Sequence, residues 1–197
     1  MLSTVYSAGI NGVDGYIVTL ECDVRKRLQC FEIVGLPDTA VKEAKERVRS
    51  SIENIGLPFP DDTVIVNMAP ADMKKTGTAY DFAMAIGILR SCSYVKPDIP
   101  MEKYCFIGEL SLSGGVRPVP GVLSMVLAAK DHGMTEIFVS AENAHEASVV
   151  SGINIYGVHN IPEALAHING KAPLTATAFD PDYLKMLIAA TAWTFPT

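Results

Sequence analysis

The segment at residues 108–121, GELSLSGGVRPVPG, constrains the fold of this chain most, because a tight reversal is followed at once by a helix. Leu110 and Leu112 alternate with serines, which is the period of a half-buried strand. The Gly114-Gly115 pair suits the two-residue turn of a hairpin, since glycine tolerates a positive φ. The apolar run at residues 122–129 then has helical periodicity. The sequence therefore predicts two short strands, a two-residue turn and a helix.

The rest of the chain has β-rich runs first and alternating strands and helices later. The predicted strands lie at residues 4–10, 16–24, 30–34, 63–68, 136–139 and 155–158. The first predicted helix is amphipathic, is capped by Asp38 or Thr39 and ends at Gly56. The second, at residues 79–89, is almost entirely apolar. Further helices are predicted at residues 122–132, at residues 140–150 and after Asn160. This order indicates a mixed α/β (α+β) domain over residues 1–169. Residues 170–197 are predicted to be a linker with a terminal helix at residues 183–193.

Composition narrows the classes of function and the cellular location. The net charge of −6 argues against a protein that coats nucleic acid by bulk electrostatic attraction. The four cysteines lack C-x-x-C spacing, so free thiols in a reducing compartment are expected. No signal peptide and no apolar run long enough to cross a membrane is evident, so we expect a cytoplasmic protein without membrane contact.

Eight basic residues are candidates for a contact with nucleic acid or a protein partner, although the net charge of the chain is negative. Such a contact requires them to gather on one face, whereas a solvated helix face and a hairpin tip are the commoner explanations. The candidates are Arg25, Lys26, Arg27, Lys42, Lys45, Arg49, Lys74 and Lys75.

Two kinds of ligand site are missing from the sequence. A phosphate-binding P-loop needs Gly-x-x-x-x-Gly-Lys-Ser/Thr, but Gly170 and Lys171 are followed by Ala172. The four histidines show no metal-ligand spacing and no accompanying cysteine cluster. We therefore expect neither a cofactor nor a metal in this chain.

Four stretches together resemble the amino-terminal domain of the magnesium-chelatase-like AAA+ ATPases called YifB or ComM. They are VYSAGINGVDGYIVTLECDV, FEIVGLPDTAVKEAKERVRSSI, VNMAPADMKKTGTAYDFAMAIGIL and IGELSLSGGVRPVPGVLSMVLAAK, with VGLPD the most specific part. The hairpin also resembles that of Lon-type protease domains and of RadA recombination proteins. The resemblance implies a ribosomal protein S5 domain 2-like fold, and an AAA+ module after this domain that binds ATP and Mg²⁺ and assembles into a homo-oligomeric ring. Some members of the family are linked to DNA processing during natural transformation.

The resemblance also places the two positions of a Lon-type catalytic dyad. The Lon serine corresponds to Ala79 and the Lon lysine to Leu123, and neither residue can perform the chemistry. A rearranged dyad would have to use Thr78 with Lys74 or Lys75. Three functions thus stay open: a non-catalytic domain serving assembly or substrate contact, a nucleic-acid-binding module, and a rearranged Lon-type peptidase.

The same correspondence predicts the geometry of a vestigial site. The loop at residues 70–78 should lie beside the hairpin, and Ala79 should face Leu123 across a short apolar contact. Asp81 and Arg117 are expected near the rim of the site. In the alternative arrangement, the two helix starts diverge and Tyr80 fills the old site.

Overall fold

The computed structural model describes residues 1–192, in which fifteen main elements follow one another. In the first half they are β1 (Leu2–Asn11), β2 (Asp14–Arg25), β3 (Cys30–Val34), α1 (Thr39–Asn54), β4 (Thr63–Ala69) and α2 (Asp81–Ser91). In the second half they are β5 (Tyr104–Phe106), β6 (Glu109–Leu110), β7 (Val116–Arg117), α3 (Val122–Asp131), β8 (Glu136–Ser140), α4 (Ala144–Ala147), β9 (Asn154–Val158), α5 (Ile161–Ile168) and α6 (Pro181–Ala192). The mixed α/β class is as predicted.

The first layer is a four-stranded sheet with the order β1-β2-β4-β3. Strands β1, β2 and β4 are antiparallel neighbours, and β3 runs parallel to β4 because helix α1 carries the chain back between them. Helix α1 starts where the sequence predicts, since the Asp38 carboxylate accepts the Val41 N–H at 2.7 Å. Strands β1 and β3 are therefore the two edge strands of this sheet.

Helix α2 is buried against this sheet, as its apolar sequence predicts. The Ser3 hydroxyl on β1 donates to the Gly87 carbonyl oxygen on α2 at 2.7 Å. A Cβ atom on Gly87 would lie 2.3 Å from the Cys22 Sγ atom on β2, so glycine allows the close approach of helix and sheet. This packing fixes the start of α2, and with it the loop that precedes it.

The second layer is a parallel three-stranded sheet with the order β5-β8-β9, beside which the β6–β7 hairpin forms a separate ribbon. The rings of Phe106 and Phe138 stack between its strands with centroids 5.3 Å apart. Helix α3 packs on the opposite face of the first sheet from α2, where a Cβ atom on Gly15 would lie 2.1 Å from the Ser124 carbonyl oxygen. Strand β5 was not predicted, because three residues are too few to show a strand period.

The hairpin differs from its prediction in the turn. The Ser111 N–H donates to the Gly115 carbonyl oxygen at 2.9 Å, and the Ser111 hydroxyl accepts the Gly115 N–H at 2.9 Å. These local bonds widen the turn and end β6 at Leu110. Leu112 is consequently 56% exposed and does not share the buried face of Leu110.

Two later segments also depart from the predicted pattern. The predicted helix at residues 140–150 is a 3₁₀ turn, Ala141–Asn143, followed by the single turn of α4. The predicted linker packs back on the domain: the Leu174 N–H donates to His167 Nδ1 at 2.8 Å and the Thr177 N–H to the Ile155 carbonyl oxygen at 2.7 Å. Of the terminal helix predicted at residues 183–193, Trp193 lies outside the described residues.

Candidate functional site

The loop between β4 and α2 is tied to the start of α1 by main-chain and side-chain bonds. The Lys75 N–H donates to the Leu36 carbonyl oxygen at 3.0 Å, and the Asp38 N–H donates to the Lys75 carbonyl oxygen at 2.9 Å. The Asp38 carboxylate, besides capping α1, accepts the Gly77 N–H at 3.2 Å. The loop therefore has a defined conformation up to Thr78.

The end of this loop lies beside the hairpin, as predicted. The Thr78 hydroxyl donates to the Glu109 carboxylate at 2.6 Å. The Gly108 N–H donates to the Ala79 carbonyl oxygen at 3.0 Å, and the Phe82 N–H donates to the Gly108 carbonyl oxygen at 3.1 Å. Five residues from two distant stretches thus form one continuous wall.

A cleft of about 250 Å³ opens between this wall and the start of α3. Its lining is mainly apolar, with two threonines from the loop. The lining residues are Gly9, Ile10, Thr76, Gly77, Thr78, Ala79, Val119, Pro120 and Met125. Ala79, the predicted counterpart of a Lon nucleophile, therefore borders this cleft.

Leu123, the predicted counterpart of the Lon base, is half-buried at the start of α3. It packs against the apolar cluster that contains Ala79, Val122 and Met125. Within residues 1–192 it is not part of the cleft lining, and its direct contact with Ala79 stays a prediction. The Glu146 carboxylate interacts with the Leu123 N–H, which opposes the rise in the pKa of Glu146 caused by burial. Sequence reasoning missed this acidic group, which comes from a different helix.

The prediction that Asp81 lies at the rim is wrong. Its side chain is 1% exposed and forms a two-point ion pair with Arg47, in which Nε and Oδ2 are 2.6 Å apart and Nη2 and Oδ1 are 3.1 Å apart. The Asp81 carboxylate also accepts the Leu110 N–H at 3.2 Å. Burial raises the pKa of Asp81, and Arg47 opposes that rise. Asp81 therefore joins α1, α2 and the hairpin from within the core.

Arg117 and Tyr80, the other two residues of the predicted site, differ in burial. Arg117 is exposed, with Nη1 3.7 Å from Glu109 Oε1. Tyr80 is buried, and its hydroxyl lies 3.2 Å from the Tyr16 hydroxyl in space that Gly9 leaves free. Burial raises the pKa of the Tyr80 phenol. Tyr80 is thus a packing residue beneath β1.

The lysines of a rearranged dyad do not meet Thr78. Lys75 is fully buried, its ammonium group donates to the Pro70 carbonyl oxygen, and burial lowers its pKa. Lys74 is exposed and lines a neighbouring, more polar cleft together with Asp72 and Tyr16. Among the described residues, no lysine lines the cleft that holds Thr78 and Ala79.

The eight basic candidates for nucleic-acid or partner contact are divided between separate places. Arg25, Lys26 and Arg27 lie at the turn before β3, whereas Lys74 and Lys75 follow the far end of β4, about 20 Å away along seven strand residues. Four are engaged locally: Arg25 with Asp23, Lys45 with Glu32 at 3.1 Å, Arg49 above the Phe59 ring at 4.4 Å, and Lys75 as described. Lys42 is exposed on α1. The eight basic residues are therefore not gathered in a single patch.

The described part of the chain also bears on metal binding and membrane crossing. Residues 1–192 contain no group of three or more His, Cys, Asp or Glu side chains placed to hold a metal ion. None of the helices described there combines the length and the apolar character that crossing a bilayer requires.

Comparison with known proteins gives one family. The family model described as subunit ChlI of Mg-chelatase matches residues 20–143. Over 173 residues, 88% of this chain and 34% of each relative, the chain is 39% identical to an uncharacterised protein of Mycobacterium tuberculosis, 36% to competence protein ComM of Haemophilus influenzae and 35% to YifB of Escherichia coli. The chain thus spans about a third of the length of these relatives.

Two further relatives share less of the chain with this protein. Lon protease 2 of Bacillus subtilis is 26% identical over 156 residues, 75% of this chain and 27% of that protein. DNA repair protein RadA of Escherichia coli is 31% identical over 111 residues, 56% of this chain and 23% of that protein.

Proposed function

Because this chain belongs to the family of the ChlI subunit of Mg-chelatase, we propose that it is the non-catalytic, Lon-like domain of a magnesium-chelatase-like AAA+ ATPase. In this proposal the domain has the ribosomal protein S5 domain 2-like fold and works in the cytoplasm. It serves the ATPase by assembly or by contact with the substrate, which includes DNA as a candidate. The relatives ComM and YifB support the family context, and Lon protease 2 supports the link to Lon.

The proposal that the domain is not catalytic is supported by the cleft beside Ala79. A nucleophile of the Lon type needs a lysine amine within hydrogen-bond reach to take its proton. The Thr78 hydroxyl instead donates to the Glu109 carboxylate at 2.6 Å, and the buried Lys75 ammonium donates to the Pro70 carbonyl oxygen. The Lon-type chemistry requires an amine at this place, and the cleft lining within residues 1–192 supplies none.

The proposal assigns ATP and Mg²⁺ to a separate AAA+ module of the same protein. That module and further copies of the protein are the proposed partners. Two clusters of basic residues lie near opposite ends of β4, one at residues 25–27 and the other at residues 74–75. A contact with DNA would have to use each cluster separately, because they do not form one patch. The contribution of each group to affinity would then be measurable on its own.

We expect that this chain alone does not bind ATP. The sequence has no P-loop, so no ring of backbone N–H groups is available to cradle the phosphates. Isothermal titration calorimetry with ATP and Mg²⁺ should show no saturable heat at micromolar concentrations. Saturable binding would contradict the assignment of nucleotide to another module.

A further inference from the structure

The two most exposed large apolar side chains within residues 1–192 lie in turns at opposite ends of β2. Leu28 is 92% exposed in the turn before β3, and Val13 is 83% exposed in the turn between β1 and β2. Strand β2 has 12 residues, so its two ends lie about 36 Å apart. A single exposed apolar residue needs no explanation, but the surroundings of these two are opposite in charge.

The turn at residues 25–29, called the basic turn below, holds Leu28 out from the sheet. The Thr63 hydroxyl at the start of β4 donates to the Leu28 carbonyl oxygen at 2.7 Å, so the backbone of the turn is anchored while the side chain stays in solvent. Lys26 and Arg27 precede Leu28 directly, are exposed, and form no ion pair among the described residues. The basic turn is thus an apolar projection with two free cations.

The turn that carries Val13 borders an open cleft of about 250 Å³ against α3, called the acidic cleft below. The Ser124 hydroxyl on α3 donates to the Val13 carbonyl oxygen at 2.9 Å and fixes the turn to the helix. Apolar side chains and two exposed carboxylates line the cleft. They include Val13, Leu127, Ala128, Asp14 and Asp131. Neither carboxylate forms an ion pair in the described part of the chain.

We propose that the basic turn of one copy of this chain binds in the acidic cleft of a second copy, with Leu28 packed against Val13 and the two free cations beside the two carboxylates. The separation of about 36 Å along β2 prevents one chain from covering both of its own surfaces. Because the two surfaces differ, the contact is heterologous. Successive copies therefore add head to tail, and they close into a ring where the rotation between copies allows it.

Charge and shape together favour a second copy as the partner. Each chain carries both an apolar projection with two cations and an apolar cleft with two carboxylates, so one contact covers both exposed residues. Two basic turns or two acidic clefts brought together would instead place like charges side by side. Nearby charges of the other sign are engaged locally: Asp61 accepts from Gln29 at 3.5 Å, and Lys130 donates to the Ser151 carbonyl oxygen at 2.7 Å.

The first test is sedimentation velocity of the 197-residue chain over a dilution series. A contact between one turn and one cleft is small, so we expect reversible oligomers at high micromolar concentration. Leu28→Asn and Val13→Lys should each raise the dissociation constant roughly tenfold or more, because each removes one side of the apolar contact. Leu112→Asn, at a position 56% exposed in the β6–β7 hairpin, is the matched control and should leave the association unchanged. Circular dichroism verifies that each variant is folded.

A mixture of two variants distinguishes a head-to-tail contact from a symmetric one. Leu28→Asn keeps an intact acidic cleft, and Val13→Lys keeps an intact basic turn. An equimolar mixture should therefore form one-to-one dimers with the dissociation constant of the parent contact, and no larger species. A symmetric contact that needs both residues in both copies would not be restored by mixing.

Ionic strength tests the contribution of the charges. Raising the NaCl concentration from about 50 mM to about 500 mM should weaken the parent association several-fold, because ion pairs at the edge of the contact are screened. A parent chain that stays monomeric at millimolar concentration, an association insensitive to salt or to both substitutions, or a mixture that forms no dimers would overturn the proposal. The contact does not rest on the proposed function, so these results leave the tests of ATP binding and peptide cleavage unchanged.

Discussion

Replacing Arg47 with methionine should lower the free energy of unfolding by about 3–5 kcal/mol. The substitution leaves the Asp81 carboxylate, 1% exposed, with the Leu110 N–H but without its counter-charge. Urea denaturation followed by circular dichroism measures the loss. Lys45→Met on the same helix removes a surface ion pair with Glu32 and should cost no more than about 1 kcal/mol. Equal losses in the two variants would contradict the central role of the buried pair.

The loss in Arg47→Met should also depend on pH. Burial already raises the pKa of Asp81 against the opposition of Arg47, so removing Arg47 raises the pKa further. A carboxyl group whose pKa is higher in the folded state binds more protons there, and the free energy of unfolding then falls as pH rises between the unfolded and folded pKa values. The variant should therefore regain stability relative to the wild type on acidification from pH 7 to pH 5. A loss that is the same at both pH values would argue against a charged Asp81.

Gly35→Ala should lower the free energy of unfolding by about 2–5 kcal/mol. Gly35 has φ +101°, and a Cβ atom there would lie 2.1 Å from the Met68 carbonyl oxygen on β4. The backbone of β4 cannot move away without breaking its pairing with β3. The strain of an alanine at positive φ and the steric overlap with Met68 therefore both lower the free energy of unfolding. The expected readout is a lower urea midpoint with an unchanged dependence on denaturant.

Gly12→Ala is the matched control for this prediction. Gly12 also has a positive φ, +67°, but no atom lies within 4 Å of the added Cβ. Its loss should be limited to the backbone strain of about 1–2 kcal/mol. A Gly35→Ala variant no less stable than Gly12→Ala would mean that the VGLPD turn moves away from β4 without cost.

The features that could be predicted from the sequence are local ones. Asp38 caps α1 because a short polar side chain precedes a helical pattern, and α2 is buried because its sequence offers no polar face. The two predicted strand runs on either side of the turn residues NGVDG, at positions 11–15, are β1 and β2. Each of these depends on neighbours within a few residues.

The features that could not be predicted depend on distant partners. The sequence around Asp81 is typical of an exposed residue in the first turn of a helix. Its burial depends on the ion pair with Arg47, which lies on another helix. Lys75 belongs to a residue type that is almost never buried, and only the packing of the loop against Leu36 and Pro70 places it inside. The bond between Thr78 and Glu109 likewise joins residues that are far apart in sequence. The position of the site beside Ala79 and the hairpin could be anticipated from the sequence, but the hydrogen bonds of the Thr78 hydroxyl and of the buried Lys75 ammonium group could not.

The measurement that tests the non-catalytic account most directly is peptide cleavage by the purified chain and by Thr78→Ala and Lys75→Ala. The Thr78 hydroxyl is bound to Glu109 and the Lys75 ammonium to Pro70, so the account predicts no turnover of casein or a fluorogenic peptide above buffer, with the same background in all three proteins. Turnover in the parent chain that disappears in Thr78→Ala or in Lys75→Ala, while both variants remain folded, would contradict it.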